Sequence, residues 1–226
     1  MKKSKKLVIF GAGETAELAY EYFTNDSEFE VAGFSVNSEF LDKKELFGLP
    51  VIEFKEVKDF FPPSKYFAFV AIGASKLNRI RSTFFILVKK LGYTCASYIS
   101  SKSFVWHNVI IGENCFILED NTIQPFTTIG DNVTMWSGNH LGHRSQISNN
   151  CFISSHCVIS GYCSIGANSF LGVNCTIEDD VKISEDNFLG AGSIIRKNTE
   201  PKSLFQEAQT SLSKISTYKI FKIKCD

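Results

Sequence analysis

The sequence predicts two domains of different architecture, an α/β domain in residues 1–97 and a solenoid of short stacked β-strands in residues 98–200. In the first domain, strand-like apolar segments alternate with helix-like segments, which is typical of a parallel sheet. In the second domain an aliphatic side chain recurs at every sixth position, which indicates a structural repeat. The period stops at Pro201, so residues 201–226 are predicted to form a C-terminal tail.

The first domain contains three candidate strands and two candidate helices. The strands are LVIFG, FEVAGFSV and KYFAFVAIG, which begin at Leu7, Phe29 and Lys65. GAGETAELAYEYF follows the first strand as a glycine turn that opens a helix, and a second helix, SKLNRIRSTFFILVKKLG, ends at Gly92. Because helices that link successive strands make those strands parallel, we expect a small Rossmann-like sheet.

The repeat of the second domain runs without a slip through 17 aliphatic positions, from Ile99 to Ile195. The side chain two residues before each aliphatic is usually small, and residues two apart share one face of a strand. Three residues after the aliphatic, Asn, Asp or Gly usually occurs, and these types tolerate left-handed or turn backbone. The repeating unit is therefore a short strand with a tight corner, and stacked units bury one continuous core.

Composition and charge exclude several functional classes. The chain has 24 basic and 24 acidic residues, which favours neither nucleic acid nor an anionic membrane as a partner. No segment approaches the ~20 consecutive apolar residues of a membrane-spanning helix. The apolar run 7–11 is typical of a strand rather than of a signal peptide, so we expect a cytoplasmic protein.

The seven cysteines include no CxxC pair, which disfavours a zinc or redox motif. Five of them occupy the small position of the repeat, where reduced thiols behave as small core residues. These five are Cys115, Cys151, Cys157, Cys163 and Cys175.

A glycine-rich turn, GAGETA, lies between the first strand and the first helix. Gly11 and Gly13 would let a diphosphate approach a helix N-terminus. Dinucleotide sites usually add an acidic residue about 20 positions further on. The second strand instead ends with Val36 and Asn37, which disfavours NAD. A tight turn that binds no ligand is the structural alternative.

Three histidines in the solenoid are candidates for chemistry near neutral pH: His140, His143 and His156. One of them could act as a general base. Together they could instead bind zinc, but no nearby carboxylate supports a metal site, and we expect none.

One column of the solenoid departs from the corner pattern. If three six-residue units complete one coil, residues 18 apart stack in successive coils, and Phe126, Arg144 and Tyr162 then stand in one column where Asn, Asp or Gly is usual. The column adjoins His143, and Gly161 leaves room beside that histidine. We expect this corner either to carry function or to pack against another subunit.

The six-residue pattern resembles the hexapeptide repeat of left-handed parallel β-helix acyltransferases, and the whole chain resembles the NeuD/PglD-like sugar acyltransferases. The resemblance implies an acetyl-CoA-dependent N-acetyltransferase that acts on the amino group of a nucleotide-linked amino-deoxy sugar, for lipopolysaccharide or other surface glycan biosynthesis. It also implies a homotrimer with active sites between subunits. The alternatives are a sugar O-acetyltransferase and a non-catalytic or zinc-binding β-helix protein.

The resemblance also implies roles for particular residues. His143 is the expected catalytic base and His140 its rival. The family often places an acid after its histidine, where Arg144 stands here, so Asn139 or a residue of the adjoining subunit would orient the ring. The nucleotide-sugar would contact Gly13, Glu14, Thr15, Asn37 and Gly73, and acetyl-CoA would contact Gly161, Gly172, Val173, Gly190, Ala191, Arg196 and Lys197.

A stripe of aromatic residues on the solenoid suggests where subunits meet. Phe152, Phe170 and Phe188 are 18 apart and stack vertically. If the stripe is exposed, its continuous apolar surface predicts an interface. We therefore expect the trimer to form along it.

Overall fold

The computed structural model describes residues 2–206 and 212–223, so part of the tail predicted for 201–226 lies outside the described residues. The N-terminal domain is a five-stranded sheet flanked by helices, with strand order β3-β4-β2-β1-β5. Four strands are parallel, which confirms the predicted sheet, and β3 pairs antiparallel with β4. Its elements are β1 (Lys5–Phe10), α1 (Glu14–Asn25), β2 (Phe29–Val36), β3 (Glu45–Leu46), β4 (Leu49–Glu53), α2 (Val57–Phe60), β5 (Phe67–Val70) and α3 (Arg79–Lys90).

The β3–β4 hairpin was not predicted from the sequence. Its two-residue turn is Phe47–Gly48, and both residues have positive φ, 52° and 73°. Such turns usually carry Asn-Gly or Asp-Gly, which is the signal a sequence reading relies on. Phe47 tolerates the conformation because its ring stacks on Tyr20 at 4.3 Å between centroids.

The second domain is a three-sided parallel β-helix, as predicted. Every strand pairs with the strand 18 residues away, except the last, which follows its partner by 16. Face I contains β6 (Tyr98–Ile99), β9 (Phe116–Ile117), β12 (Thr134–Met135), β15 (Phe152–Ile153), β18 (Phe170–Leu171), β21 (Phe188–Leu189) and β23 (Leu204–Phe205). Face II contains β7 (Phe104–Val105), β10 (Thr122–Ile123), β13 (His140–Leu141), β16 (Val158–Ile159), β19 (Thr176–Ile177) and β22 (Ile194–Ile195), and face III contains β8 (Ile110–Ile111), β11 (Thr128–Ile129), β14 (Gln146–Ile147), β17 (Ser164–Ile165) and β20 (Lys182–Ile183).

Strand β23 extends the solenoid past Pro201 into the predicted tail, where a short helix, α4 (Thr217–Phe221), follows. The aliphatic positions from Ile117 to Ile195 are buried in one core, together with the five repeat cysteines, as predicted. Burial raises the pKa of the Cys151 thiol to about 12, which keeps it protonated. No helix in the described part of the chain is long and apolar enough to span a membrane.

Three columns of tight turns join the faces, and we name them by the faces they connect. Corner I–II includes residues 136–139, corner II–III includes 142–145, and corner III–I includes 148–151. Every sixth residue from Asn114 to Gly192 lies in the left-handed region, such as Asn132 with φ of 59° and Gly138 with φ of 77°. The predicted role of Asn, Asp and Gly at these positions is thereby confirmed.

The N-terminal domain packs on face I of its own β-helix. Tyr22 and Phe69 contact Phe116 with ring centroids 5.7 and 5.4 Å apart, and the Arg81 guanidinium lies 5.9 Å above the ring of Phe152. Corner II–III is therefore the edge of the prism opposite the face that the domain covers.

This packing changes the interpretation of the phenylalanine stripe. Its three rings stack on one another at 5.2 and 4.8 Å, and Phe152 and Phe170 are only partly exposed. Of the three residues, Phe188 is the most exposed, at 38%. The prediction that an exposed stripe marks the subunit interface is wrong for Phe152, because Arg81 of the same chain lies on it. Exposed apolar side chains also occur on face II and at corner II–III, among them Phe104, Phe126, Val158, Tyr162 and Ile194.

Candidate active site

A cavity of about 460 Å³ lies at the carboxyl ends of β1, β2 and β5, beside the start of α1. This is the place where parallel α/β sheets usually bind ligands, and the volume falls within the range of small-molecule sites. The structure brings all five predicted nucleotide-sugar residues together in its lining: Gly13, Glu14, Thr15, Asn37 and Gly73.

The structure gives different physical reasons for glycine at the two positions of the turn, Gly11 and Gly13. A Cβ on Gly11 would lie 2.5 Å from the carbonyl oxygen of Ala71, and its φ is 129°, so packing alone requires glycine there. A Cβ on Gly13 would meet nothing within 4 Å, so no protein contact requires that glycine. The open space in front of Gly13 is the one a ligand would use, which favours a binding site over a turn without ligand.

The start of α1 supplies hydrogen-bond donors to this space. The amides of Ala16 and Glu17 bond to the Gly13 carbonyl at 2.8 and 3.1 Å. Those of Glu14 and Thr15 precede the first intrahelical bonds, and both residues line the cavity. Helix N-termini of this kind bind phosphate groups through their amides and dipole.

Sequence reasoning missed several residues of the lining, among them Ser35, Phe40 and Asp42. The Ser35 hydroxyl is buried and has no hydrogen-bond partner among the described residues. Asp42 provides a carboxylate five residues after Asn37, on a loop whose course only the fold determines. An exposed aromatic, Phe40, stands at the same rim with 63% of its surface open.

His143 lies at corner II–III, on the edge opposite the N-terminal domain. Its Nδ1 is 3.3 Å from Oε1 of Gln124, and its backbone N–H donates to the same oxygen at 2.9 Å. A Cβ on Gly161 would lie 2.7 Å from the ring, and Tyr162 packs edge-on against it at 5.1 Å. Gly161 therefore leaves room for the His143 ring, as predicted. His143 itself is exposed, so its ring lies at the surface of the corner.

The prediction that Asn139 orients this ring is not supported. Asn139 is 1% exposed, its Nδ2 donates to the carbonyl of Trp136, and its Oδ1 accepts from the backbone N–H of Cys157 at 2.8 Å. Both ends of the amide are thus used to hold corner I–II. Gln124 makes the contact instead, and it was missed because it lies in the preceding coil, 19 residues away in sequence.

His140 and His156 occupy different places from His143. His140 points outward from β13 on face II, between Thr122 and Val158 of the adjacent coils. His156 is exposed at corner I–II, against Gly138. The described residues contain no group of three or more His, Cys, Asp or Glu side chains that could hold a metal ion.

The predicted acetyl-CoA residues do not form one cluster within the chain. Val173 and Ala191 are exposed at corner I–II, which also contains Gly172 and Gly190. Gly161, Arg196 and Lys197 lie at corner II–III, with the whole width of face II between the two groups. Arg196 also pairs with the exposed carboxylate of Glu178, at 2.9 Å.

Comparison with known proteins agrees with this architecture. Residues 108–143 match the sequence profile of the bacterial transferase hexapeptide family (six repeats). PerB from Caulobacter crescentus, solved with CoA and GDP-perosamine, is 24% identical, with 88% of this chain and 92% of PerB covered and a TM-score of 0.77. The chain has the fold of these sugar N-acetyltransferases.

Two further structures support the same conclusion about the fold. The acetyltransferase domain of PglB from Neisseria gonorrhoeae is 20% identical over 89% of this chain and 96% of that domain, with a TM-score of 0.79. The same domain in complex with acetyl coenzyme A is 21% identical over 88% and 95%, with a TM-score of 0.78. No curated protein sequence matches the chain significantly.

Proposed function

We propose that the protein is a cytoplasmic acetyl-CoA-dependent N-acetyltransferase that acts on a nucleotide-linked amino-deoxy sugar, in surface glycan biosynthesis. The observation that carries the proposal is the pairing of an open cavity at a helix N-terminus with an exposed, hydrogen-bonded histidine at corner II–III. The complexes of PerB with CoA and GDP-perosamine, on the same fold, support the substrate class.

The cavity would bind the nucleotide carrier of the acceptor sugar. The amides at the start of α1 suit a diphosphate, and the space in front of Gly13 is free to receive it. The described residues that line the cavity include Glu14 and Asp42 but neither Lys nor Arg. Backbone amides rather than side-chain cations would therefore hold the phosphates, unless another copy of the chain provides a cation.

His143 would act on a sugar presented by another copy of the chain. The domain that holds the cavity covers face I, whereas His143 lies on the edge opposite that face. An acceptor in a chain's own cavity would thus lie on the far side of its β-helix from its own histidine. A homotrimer with active sites between subunits resolves this geometry, and the exposed rings of Phe126 and Tyr162 offer apolar contact area near the histidine.

The same arrangement explains the division of the acetyl-CoA residues. A groove between two β-helices would have corner II–III of one copy facing corner I–II or face II of the next. The pantetheine arm would then contact Gly172 and Ala191 of one copy and Gly161 of the other. The basic pair Arg196 and Lys197, both exposed, would face the phosphates of the adenosine end.

The reaction would proceed by direct acyl transfer. The neutral amine of the sugar attacks the thioester carbonyl, the new C–N bond forms, and the C–S bond breaks to release CoA. His143 takes the proton that the nitrogen sheds, through Nε2, and this proton then passes to the departing sulfur, so that CoA leaves as the thiol and the imidazole is neutral again. Oε1 of Gln124 would accept a hydrogen bond from Nδ1–H across the 3.3 Å between the two atoms, which favours the tautomer whose Nε2 lone pair is free.

A screen of UDP-, dTDP- and GDP-linked amino sugars with acetyl-CoA, followed by thiol release, tests the activity. For the active substrate, His143→Ala should lower turnover by ~10²–10⁴-fold with the oligomer intact, because a general base is lost. His156→Ala is the matched control, since it removes an exposed corner histidine from the same β-helix, and His140→Ala should have a milder effect than His143→Ala. If His143→Ala keeps more than about half of the wild-type turnover, His143 is not the base.

The screen also separates the alternatives. When sugars that carry hydroxyl groups but no amino group are added to the screen, reaction of one of these with no reaction of any amino sugar would identify an O-acetyltransferase. Stoichiometric zinc in the purified protein together with no thiol release would overturn the acyltransferase proposal.

A further inference from the structure

Asn114 makes an unusual contact between the two domains. It lies at corner III–I with φ of 55° and is 2% exposed. Its Oδ1 accepts from the backbone N–H of Val70 at 2.7 Å, and its Nδ2 donates to the Val70 carbonyl at 3.2 Å. One side-chain amide therefore pairs with both backbone groups of a single residue, as a neighbouring strand would.

Val70 is the last residue of β5, which is the edge strand of the sheet next to the cavity. β5 pairs with β1 on one side, and on its other side Ala68 bonds to the backbone of Thr94 and Ala96. Two residues further on, the same edge of the strand meets Asn114 of the β-helix at Val70. The chain continues from Val70 directly into Ala71, Ile72 and Gly73, all of which line the cavity. Asn114 thus holds the backbone at the point where the strand becomes the cavity wall.

Asn114 is itself held by a ladder of asparagines along corner III–I. Its Nδ2 also donates to Oδ1 of Asn132 at 2.8 Å, and Nδ2 of Asn132 donates to Oδ1 of Asn150 at 2.8 Å. Successive coils thus fix the orientation of the amide that meets Val70. Asn114 differs from Asn132 and Asn150 because its side chain also bonds to the N-terminal domain, at Val70.

The segment that continues from the cavity wall at Ala71–Gly73 is also anchored on corner III–I, through Asn78. The buried amide of Asn78 donates to the carbonyls of Asn168 and Ser169 at 3.3 and 3.4 Å. Residues 76–78 all have positive φ, so this turn adopts a conformation that non-glycine residues rarely take. The segment 71–77 therefore spans two anchor points on one rigid edge of the β-helix.

We propose that Asn114 is a positioning residue that fixes the nucleotide cavity relative to the β-helix, and so determines where the acceptor amine is presented. This inference rests on the proposed acyl transfer from a cofactor held by the β-helices to a sugar held by the N-terminal domain. A displacement of the cavity by about 1 Å would move the amine away from the thioester and cost up to ~100-fold in rate.

The test compares Asn114→Gly with Asn150→Gly. Both replace a left-handed asparagine of the same ladder by glycine, which accepts positive φ without strain, but only the first removes the contact with Val70. Asn114→Gly should lower kcat/KM for the nucleotide-sugar by about 10-fold or more, while Asn150→Gly should change it less than about 2-fold. Asn114→Asp, which keeps the acceptor for the Val70 N–H, should fall between the two.

A truncated acceptor distinguishes positioning from a general loss of structure. The methyl glycoside of the same amino sugar has no nucleotide, so it reaches the β-helix from solution and not through the cavity. Its slow acetylation should be equal in the wild type and in Asn114→Gly, and KM for acetyl-CoA should be unchanged. Equal losses with both acceptors, or equal effects of Asn114→Gly and Asn150→Gly, would overturn the positioning role.

Hydrogen exchange provides a readout that does not depend on activity. Amides of residues 71–77 should exchange faster in Asn114→Gly than in Asn150→Gly, because one anchor of the segment is lost. If the wild type acetylates neither acceptor, the proposed function fails, and unchanged exchange of this segment would then overturn the anchoring role separately.

Discussion

Corners III–I and II–III use the same backbone conformation for different purposes. The left-handed residue has φ of 59° at Asn132 in the first and 59° at Arg144 in the second. At corner III–I, Asn114, Asn132 and Asn150 occupy this position and bond to one another, and Asn114 also bonds to the N-terminal domain. At corner II–III it is occupied by Phe126, Arg144 and Tyr162, whose side chains point to the surface.

This difference distinguishes residues that the fold requires from residues that a functional site would require. A large side chain in the left-handed region costs free energy that asparagine or glycine would not cost. Asn132 has no exposed surface, whereas Phe126 and Tyr162 are 56% and 54% exposed, so burial within the single chain offsets little of that cost. The strained residues occur beside His143, where the proposed function would bring the substrate and another copy of the chain.

The largest effect on stability is expected at corner III–I, from Arg81→Ala. Arg81 is 2% exposed, and its Nη2 donates to the carbonyls of Asn132 and Cys151 at 3.2 and 3.1 Å. Burial lowers the pKa of its guanidinium to about 10. Loss of the side chain would leave two buried carbonyls without this donor and uncover Phe152, at a cost of about 2–4 kcal/mol in the free energy of unfolding.

Arg79→Ala is the control for that measurement by urea denaturation. Arg79 is two residues away and forms an exposed ion pair with Asp186, so its loss should cost less than about 1 kcal/mol. Equal costs for the two variants would contradict the view that corner III–I is the structural edge of the prism.

At corner II–III we expect Gln124→Leu to affect activity more than stability. Without the Oε1 acceptor, Nδ1 of His143 loses its partner, and the ring is free to take the wrong tautomer or orientation. Turnover at saturating substrates should fall about 10-fold, with the unfolding midpoint nearly unchanged. Gln146→Leu, on face III and exposed, should leave turnover unchanged; a similar loss there would mean that Gln124 has no specific role.

Tyr162→Gly tests whether the strained residues serve function at the expense of stability. Glycine relieves the left-handed backbone at φ of 57°, so the isolated chain should gain up to about 1 kcal/mol, while activity and oligomer formation should weaken. Asn174→Gly, at corner I–II with φ of 59°, should change neither by much. Differential scanning calorimetry and light scattering at several protein concentrations would measure both quantities, and an unchanged oligomer would contradict the interface role.

The smallest expected effect is on stability at low pH, and it involves Asp26, which links the two domains through hydrogen bonds. Asp26 accepts from the Tyr98 hydroxyl and the Ser101 backbone N–H, both at 2.8 Å. Burial alone would raise the pKa of Asp26, but hydrogen bonds from Ser101, Tyr98 and Ser100 outweigh it and lower the pKa below 3.8. The carboxylate therefore stabilises the folded state above that pH, and its contribution is lost as the pH falls through the folded-state value.

Asp26→Asn removes this charge and should reduce stability by a constant amount from about pH 8 to about pH 5. The difference from the wild type should shrink below about pH 4, as measured by urea unfolding at each pH. A difference that grows toward acid would contradict the depressed pKa.

Much of the architecture was predictable because local chemistry repeats. The six-residue period predicts every inward aliphatic from Ile117 to Ile195, and the Asn, Asp and Gly corners adopt the left-handed backbone as expected. The cavity lining at Gly13 and Asn37 was also predictable, since strand ends and helix starts meet at one edge of a parallel sheet. The β3–β4 hairpin was missed because its turn carries phenylalanine rather than asparagine.

The sequence by itself determined the repeat and the core of the solenoid, because both depend on interactions between residues at fixed spacing. Only the tertiary structure decided which face the N-terminal domain covers, because that choice depends on contacts such as Arg81 with Phe152 and Asn114 with Val70, made across more than 40 residues. It also decided that Gln124, and not Asn139, contacts His143, since the stacking of coils brings together side chains that no local pattern relates.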